Sequence, residues 1–302
     1  MPGIPHFAIG NTPLVRVPLG PEAGDAELYA KLEWYNPTGS LKDRIALHMI
    51  EAAEASGELH PDKILLEATS GNTGIALAAV AAAKGYRVTI VMSAAMSQER
   101  RRTLRALGAE LELTPAEWGC DAAVERAEEM AQDPKYYLLG QFTRPTNVEA
   151  HYLTTGAEVV EQCPDMDCFV AGIGTGGTIM GVGQRLRETL SDVKVAGIIV
   201  QPQSTIQGLM ALEQYVPPIL DPSIMHERVE VSDDETVAAA RRLAGEYGLF
   251  AGLSSGAAYA AAHKLAAKGY RRIVGIFGDS GAKYLSTPAF ARAESGCCDH
   301  EA

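Results

Sequence analysis

The sequence predicts an α/β protein of two domains, each a mostly parallel twisted sheet flanked by helices. Three observations carry that expectation: the length of 302 residues, a recurring order of short apolar run, Gly-rich turn and helical stretch, and two turn-rich interruptions that each contain proline. At roughly 150 residues per domain the length fits two units. A chain this long buries about three quarters of its unfolded surface. With 47% apolar and 21% charged residues, disorder and fibrous architecture are excluded.

The elements follow in order. Residues 64–68 form an apolar run, 69–74 a Gly-rich turn, the alanine-rich stretch up to Gly85 a helix, and 87–92 a β-branched run. That is a βαβ unit. The order returns with a strand at 168–173, a helix at 178–189 and a strand at 194–200. A third copy is expected from the apolar residues 249–253, a helix at 256–268 and a buried strand at 272–277. Such alternation calls for parallel sheets covered on both faces. The interruptions at 36–39 and 144–147 separate a smaller domain, 36–146, from a larger one built of 1–35 and 147–302.

Charge narrows the partners. Lys and Arg number 26 against 38 Asp and Glu, a net charge of −12 with no basic block, which argues against nucleic acid and anionic membranes. The longest uncharged apolar stretch, 74–83, falls well short of the roughly 20 residues a bilayer requires. Residues 1–12 lack the charged start and apolar core of a secretory signal, so a cytoplasmic location is expected. The cysteines at 120, 163, 168, 297 and 298 show no zinc or disulfide spacing, and no metal is expected.

Four turns concentrate the chemistry. In Asn36-Pro37-Thr38-Gly39-Ser40-Leu41-Lys42-Asp43-Arg44, Ser40 is the expected N-cap of a helix that ends at Gly57. Lys42 then sits in the first turn, where the helix dipole disfavours an ammonium and favours a neutral amine or an imine. A Schiff-base lysine is the functional reading; a long stem carrying its charge to solvent is the competing one. The second turn, Thr69-Ser70-Gly71-Asn72-Thr73-Gly74, lies between strand and helix, where free N–H groups meet an anion and hydroxyls can hold a carboxylate or phenolic oxygen. The third, Gly172-Ile173-Gly174-Thr175-Gly176-Gly177-Thr178, satisfies G-x-G-x-x-G. A dinucleotide site wants a carboxylate at the end of the next strand, and Val200-Gln201-Pro202-Gln203 has none. A phosphate without a ribose fits Gly174 to Thr178 better. The fourth, Gly252-Leu253-Ser254-Ser255-Gly256, matches a serine-hydrolase elbow, with Asp279 and His300 completing the order Ser, Asp, His. That reading leaves Lys42 and the earlier turns unexplained, and His300 falls in a tail-like terminus.

The set of Pro37-Thr38-Gly39-Ser40-Leu41-Lys42-Asp43-Arg44, Thr69 to Gly74 and Gly174 to Thr178 resembles the pyridoxal-phosphate-dependent β-family, and within it the cysteine synthases (O-acetylserine sulfhydrylases). The resemblance runs from Ile9-Gly10-Asn11-Thr12-Pro13-Leu14 to Lys283-Tyr284-Leu285-Ser286-Thr287. Related dehydratases carry Gly-Asn-His where this chain has Gly71-Asn72-Thr73. Met96-Ser97-Gln98-Glu99-Arg100-Arg101 and Asp279 look closer to the B-type enzymes than to the A-type.

The resemblance implies fold type II, the tryptophan synthase β-like arrangement, a homodimer, and pyridoxal 5′-phosphate as cofactor. It implies Lys42 as Schiff-base lysine and general base, Asn72 on the cofactor's 3′ oxygen, Gly174, Thr175, Gly176, Gly177 and Thr178 on its phosphate, and Ser254 at the pyridine nitrogen. Thr69, Ser70, Gly71, Thr73 and Gln141 would hold the substrate carboxylate as the smaller domain closes. The implied reaction replaces the acetoxy group of O-acetyl-L-serine by sulfide through an α-aminoacrylate, giving L-cysteine and acetate. A cystathionine or other β-replacement synthase is the alternative, and docking of serine acetyltransferase is left undecided. No arginine follows Ile206-Gln207-Gly208 before Arg228, so an anionic co-substrate has no evident cation, which favours sulfide over thiosulfate or O-phosphoserine. Cys120 stands where the family has methionine.

Overall fold

The computed structural model describes residues 8–69, 71–96, 98–118 and 121–290; Ser70, Cys120, Cys297, Cys298 and His300 lie outside them. An antiparallel pair, β1 (Leu14–Val17) and β2 (Glu27–Leu32), leads into α1 (Lys42–Ser56). Next come β3 (Ile64–Ala68), α2 (Asn72–Lys84), β4 (Arg87–Ser93), α3 (Gln98–Ala106), β5 (Glu110–Thr114), α4 (Asp121–Met130) and β6 (Tyr136–Leu138). A helical run then joins α5 (Thr146–Ala150), a π-helical stretch His151–Gly156 and α6 (Ala157–Gln162). The chain continues through β7 (Cys168–Gly172), α7 (Gly177–Thr189), β8 (Lys194–Ile199), β9 (Glu227–Glu230), α8 (Asp233–Tyr247), α9 (Leu253–Ala267) and β10 (Arg272–Phe277).

Two sheets result. One has the order β5-β4-β3-β6 and is parallel throughout; the other, β1-β2-β10-β7-β8-β9, is parallel except at its β1–β2 edge. Strand alternation splits the larger core in two. Cys168 and Val170 of β7 and Ile273 and Phe277 of β10 face α9, whereas Phe169, Ala171, Val274 and Ile276 face α7. Both faces being covered, these strands are apolar from end to end. In the smaller sheet Leu65, Val88 and Ile90 pack against the alanines of α2 and against Ile45, Met49 and Ile50 of α1. Helix α2 stops where Gly85 takes a left-handed φ of 80° and its N–H returns to Ala81. The carboxyl ends of β3, β7 and β10 feed the turns that carry the candidate residues, the usual place for ligands in such sheets.

Two expectations change. Residues 249–253 are not a strand: Gly248 caps α8, and Leu253 already begins α9, which leaves four residues between them. Only a single bridge, Ala251 to Ser280, remains of the expected pairing. Ser40 is not the N-cap of α1 either; Leu41 holds that place, and Ser40 Oγ accepts from Lys42 N at 3.3 Å. The cause is tertiary. Ser40 bridges to Asp279, and Leu41 N donates to Gly278 O, so the start of α1 is seated against the end of β10.

Behind Lys42 lies a buried charge network. Arg44, fully buried, donates to Glu33 Oε2 at 2.7 Å and to Glu158 Oε1 at 2.6 Å. Lys31, also fully buried, meets Glu158 Oε2 at 2.7 Å and the carbonyl of Thr12 at 2.8 Å. Burial presses the Glu158 carboxyl upward, but hydrogen bonds from Arg44 and Lys31 prevail and hold it at about 2. The network joins β2, α1, α6 and the chain before β1.

Candidate active site

A cleft with a cavity volume of about 80 Å³ lies between the two sheets. Lys42, Asn72, Gly174, Thr175, Gly176, Thr178 and Ser254 all line it, so all four turns converge there, the fourth as the first helical turn of α9. Thr69, Gly71, Thr73, Gln141 and Gly177 are not among the residues that line it. Thr73 Oγ donates to Gln141 Oε1 at 2.7 Å, and both residues are buried. Thr69 Oγ accepts from Gly71 N at 3.3 Å, which shapes the turn into α2.

Lys42 is the first residue of α1 and is half-buried, its accessible part facing the cleft. Burial lowers its ammonium from 10.5 to about 8, against an opposing pull from Asp279. The positive end of the helix acts in the same direction as burial. A lysine so placed is a nucleophilic amine near neutral pH, as imine chemistry needs.

The glycine-rich turn is a cradle that side chains would fill. A Cβ at Gly174 would lie 2.6 Å from the carbonyl oxygen of Gly208, and one at Gly172 2.4 Å from Leu209 Cδ2. Gly176 has φ of 87°, which bares the N-terminus of α7. Thr178 Oγ lies 3.2 Å from Nε2 of His151, whose Nδ1 lies 2.9 Å from Thr155 Oγ. Burial, with the charges of Lys42, Arg44 and His48, keeps this imidazole neutral. Among the described residues Lys42 is the one Lys or Arg lining the cleft, so an anion at the turn itself would be met by N–H dipoles and hydroxyls.

Ser254 shares the cleft with Asp279, but no histidine lines it among the described residues. Asp279 accepts instead from Asn72 Nδ2 at 2.7 Å and Tyr284 Oη at 2.8 Å. Among the described residues the cleft thus offers Ser254 no histidine base for the hydrolase reading, and His300 lies outside them.

Several site residues leave no local mark in the sequence. Asn147, fully buried, donates from Nδ2 to the carbonyl of Gln141 at 2.7 Å and to Thr175 Oγ at 3.0 Å, tying the segment after β6 to the glycine cradle. Its Oδ1 lies where a Cβ on Gly177 would stand, 2.0 Å away, so only glycine fits at 177. Gly177→Ala is expected to destabilise by about 1–3 kcal/mol through this overpacking. A denaturant midpoint equal to the parent's would show that Asn147 can move aside. A cation also arrives from an unexpected direction: Arg100 on α3 donates to Gln207, which lines the cleft from the opposite unit. Arg100 is not itself among the lining residues, so the lining of the cleft, like residues 209–227, holds no arginine among the described residues.

The family described as pyridoxal-phosphate dependent enzyme matches residues 6–277. A cysteine synthase B of Escherichia coli is 45% identical over 286 residues, covering 93% of this chain and 94% of its own. A cysteine synthase of Staphylococcus aureus is 41% identical over 299 residues, with 94% and 95% covered. Among solved structures, an O-ureido-L-serine synthase superposes with a TM-score of 0.90 at 38% identity, covering 96% of both chains.

Proposed function

The chain belongs to the pyridoxal-phosphate-dependent enzyme family, and from that premise we propose that it acts as a B-type cysteine synthase, converting O-acetyl-L-serine and sulfide to L-cysteine and acetate. The observation that carries the reading is Lys42: a half-buried amine with a lowered pKa at a helix start, facing a glycine cradle in one cleft. The residues fit the cofactor. The amine is available, the cradle has the N–H groups for a phosphate, and Ser254 offers a neutral hydroxyl rather than a carboxylate to a ring nitrogen.

Bound pyridoxal phosphate supplies an electron sink that acidifies the Cα–H of an amino acid and loosens its β-substituent. The remaining work falls to the chain. Gly174, Thr175, Gly176, Gly177 and Thr178 would hold the phosphate at the start of α7. Asn72 would donate to the phenolic oxygen. Ser254 would leave the ring nitrogen unprotonated, which suits β-elimination over transamination. Thr69, Ser70, Gly71, Thr73 and Gln141 would orient the substrate carboxylate, and residues 36–146 would close over it to exclude water. Lys42 Nζ would take the α-proton and return it after sulfur has replaced acetate at Cβ. The same reading has the protein as a cytoplasmic homodimer; the free, buried Cys163 and Cys168 suit a reducing compartment.

The test is the visible spectrum of the protein loaded with cofactor. Addition of O-acetylserine should convert its band, and sulfide should restore it with release of cysteine. Indifference to O-acetylserine would refute the donor; restoration by homocysteine but not by sulfide would refute the acceptor. A further expectation concerns loading. Because Lys42 titrates at about 8, the rate at which the apo protein takes up pyridoxal phosphate should rise with pH to about 8 and then level. A rise continuing toward 10.5, the ordinary lysine value, would show that burial does not tune this amine.

A further inference from the structure

Asn72 lines the cleft, and its amide is gripped from two sides. Lys283 Nζ lies 2.7 Å from Oδ1, and Asp279 Oδ2 lies 2.7 Å from Nδ2. An ammonium can only donate and a carboxylate can only accept, so these partners admit one orientation of the amide and forbid its flip. One N–H of Nδ2 is spent on Asp279, and the other is left for a ligand in the cleft. Lys283 is itself fixed. Its ammonium also donates to the carbonyl of Thr38 at 3.0 Å, it stands on the short helical turn Gly281–Tyr284, and the neighbouring Tyr284 hydroxyl donates to Asp279. Thr38 precedes Lys42 in the first turn and Asn72 opens α2, so one ammonium ties two of the four turns to the segment after β10. Lys283 does not line the cleft.

We propose that Lys283 is a positioning residue: with Asp279 it locks the Asn72 amide so that one N–H is always presented to the acceptor oxygen of the bound cofactor. The inference rests on the proposed role of Asn72 and extends it to a residue that does not line the cleft and reaches the cofactor through that amide.

The test uses the cofactor-loaded protein with Lys283→Met, which keeps the stem and removes the charge, and Lys283→Arg, which keeps a cationic donor. Lys283→Met should move the visible band of the bound cofactor and weaken its retention in dialysis by about tenfold, as befits loss of a hydrogen bond to a charged group. Lys283→Arg should restore both. In an Asn72→Ala background, Lys283→Met should change neither the band nor the retention further, since the amide through which it acts is gone. A loaded parent whose band and retention are indifferent to Lys283→Met overturns the inference and leaves the cofactor reading intact. Additive losses in the double variant overturn it as well, because they give Lys283 an effect independent of Asn72. A parent that shows no visible band with pyridoxal phosphate overturns the cofactor reading and this inference together.

Discussion

Lys42→Ala is expected to abolish cysteine formation, lowering turnover by on the order of 10³-fold or more, while the variant folds as well as the parent or better. Loss of activity follows from loss of the one amine, among the described residues, that lines the cleft. Retention of the fold follows from the same burial that tunes the amine. The ammonium is pushed down from 10.5 to about 8 because burial penalises its charge; the folded state therefore sheds a proton that the unfolded chain keeps. Below about 8 both states are protonated and the folded one carries the full desolvation penalty. Between about 8 and 10.5 the penalty is relieved, and stability rises with pH. Alanine removes the penalty altogether, so the variant's advantage in a thermal melt should be greatest below pH 8 and vanish on the alkaline side. Appreciable turnover by the purified variant would refute the role of Lys42. A variant that melts well below the parent would show that the lysine serves the fold.

Arg44→Met is expected to have the opposite profile, a large loss of stability. Its guanidinium is fully buried and bonded to two carboxylates, those of Glu33 and Glu158. Methionine fills much of the volume but leaves Glu33 buried without its cation, a change worth about 3–5 kcal/mol. For a chain of this size that corresponds to a fall in melting temperature on the order of 10 °C. The acid side gives a second readout. Glu158 is held at about 2, below its ordinary 4.5, so its contribution is complete above 4.5 and is lost as pH falls toward 2. Without Arg44 that acid-range slope should flatten. If the variant melts with the parent and keeps the slope, Lys31 alone suffices for Glu158, and Arg44 is not the centre of the network.

Much of the site was legible because its chemistry is written in short, contiguous turns. Lys42 after a Pro-Thr-Gly-Ser turn, Asn72 at a strand-to-helix junction and the glycines around Thr175 each announce a backbone conformation as well as a side chain. The parallel sheets were legible for a similar reason: apolar runs such as β3 and β7 allow no solvent-facing side. What escaped is held by pairs remote in sequence. Asn147 meets Thr175, Lys283 meets Asn72, and Arg100 meets Gln207; no periodicity connects such positions, and each lies in a segment that reads as ordinary turn or surface helix. The mistaken strand at 249–253 has the converse cause. Its residues are apolar because they are packed beside α8 and α9, not because they pair, and period alone does not separate the two.

The π-helical stretch His151–Gly156 behaves as a gear between two sets of teeth. Before it, Asn147 meshes with the glycine cradle, and at its first residue His151 meshes with Thr178; after it, Glu158 meshes with Lys31 and Arg44. In a regular α-helix each residue advances the face by about 100°, and a widened turn lets the later face lag the earlier one. A single residue inserted into 151–156, or one deleted without closing the widened turn, would rotate one set by about 100° relative to the other. Either the cradle or the buried charge network would then lose its partner. The length of that stretch, more than the identity of most residues within it, is what keeps a ligand-facing surface and a load-carrying one in phase on a single rod, and insertions or deletions there should be far less tolerated than substitutions.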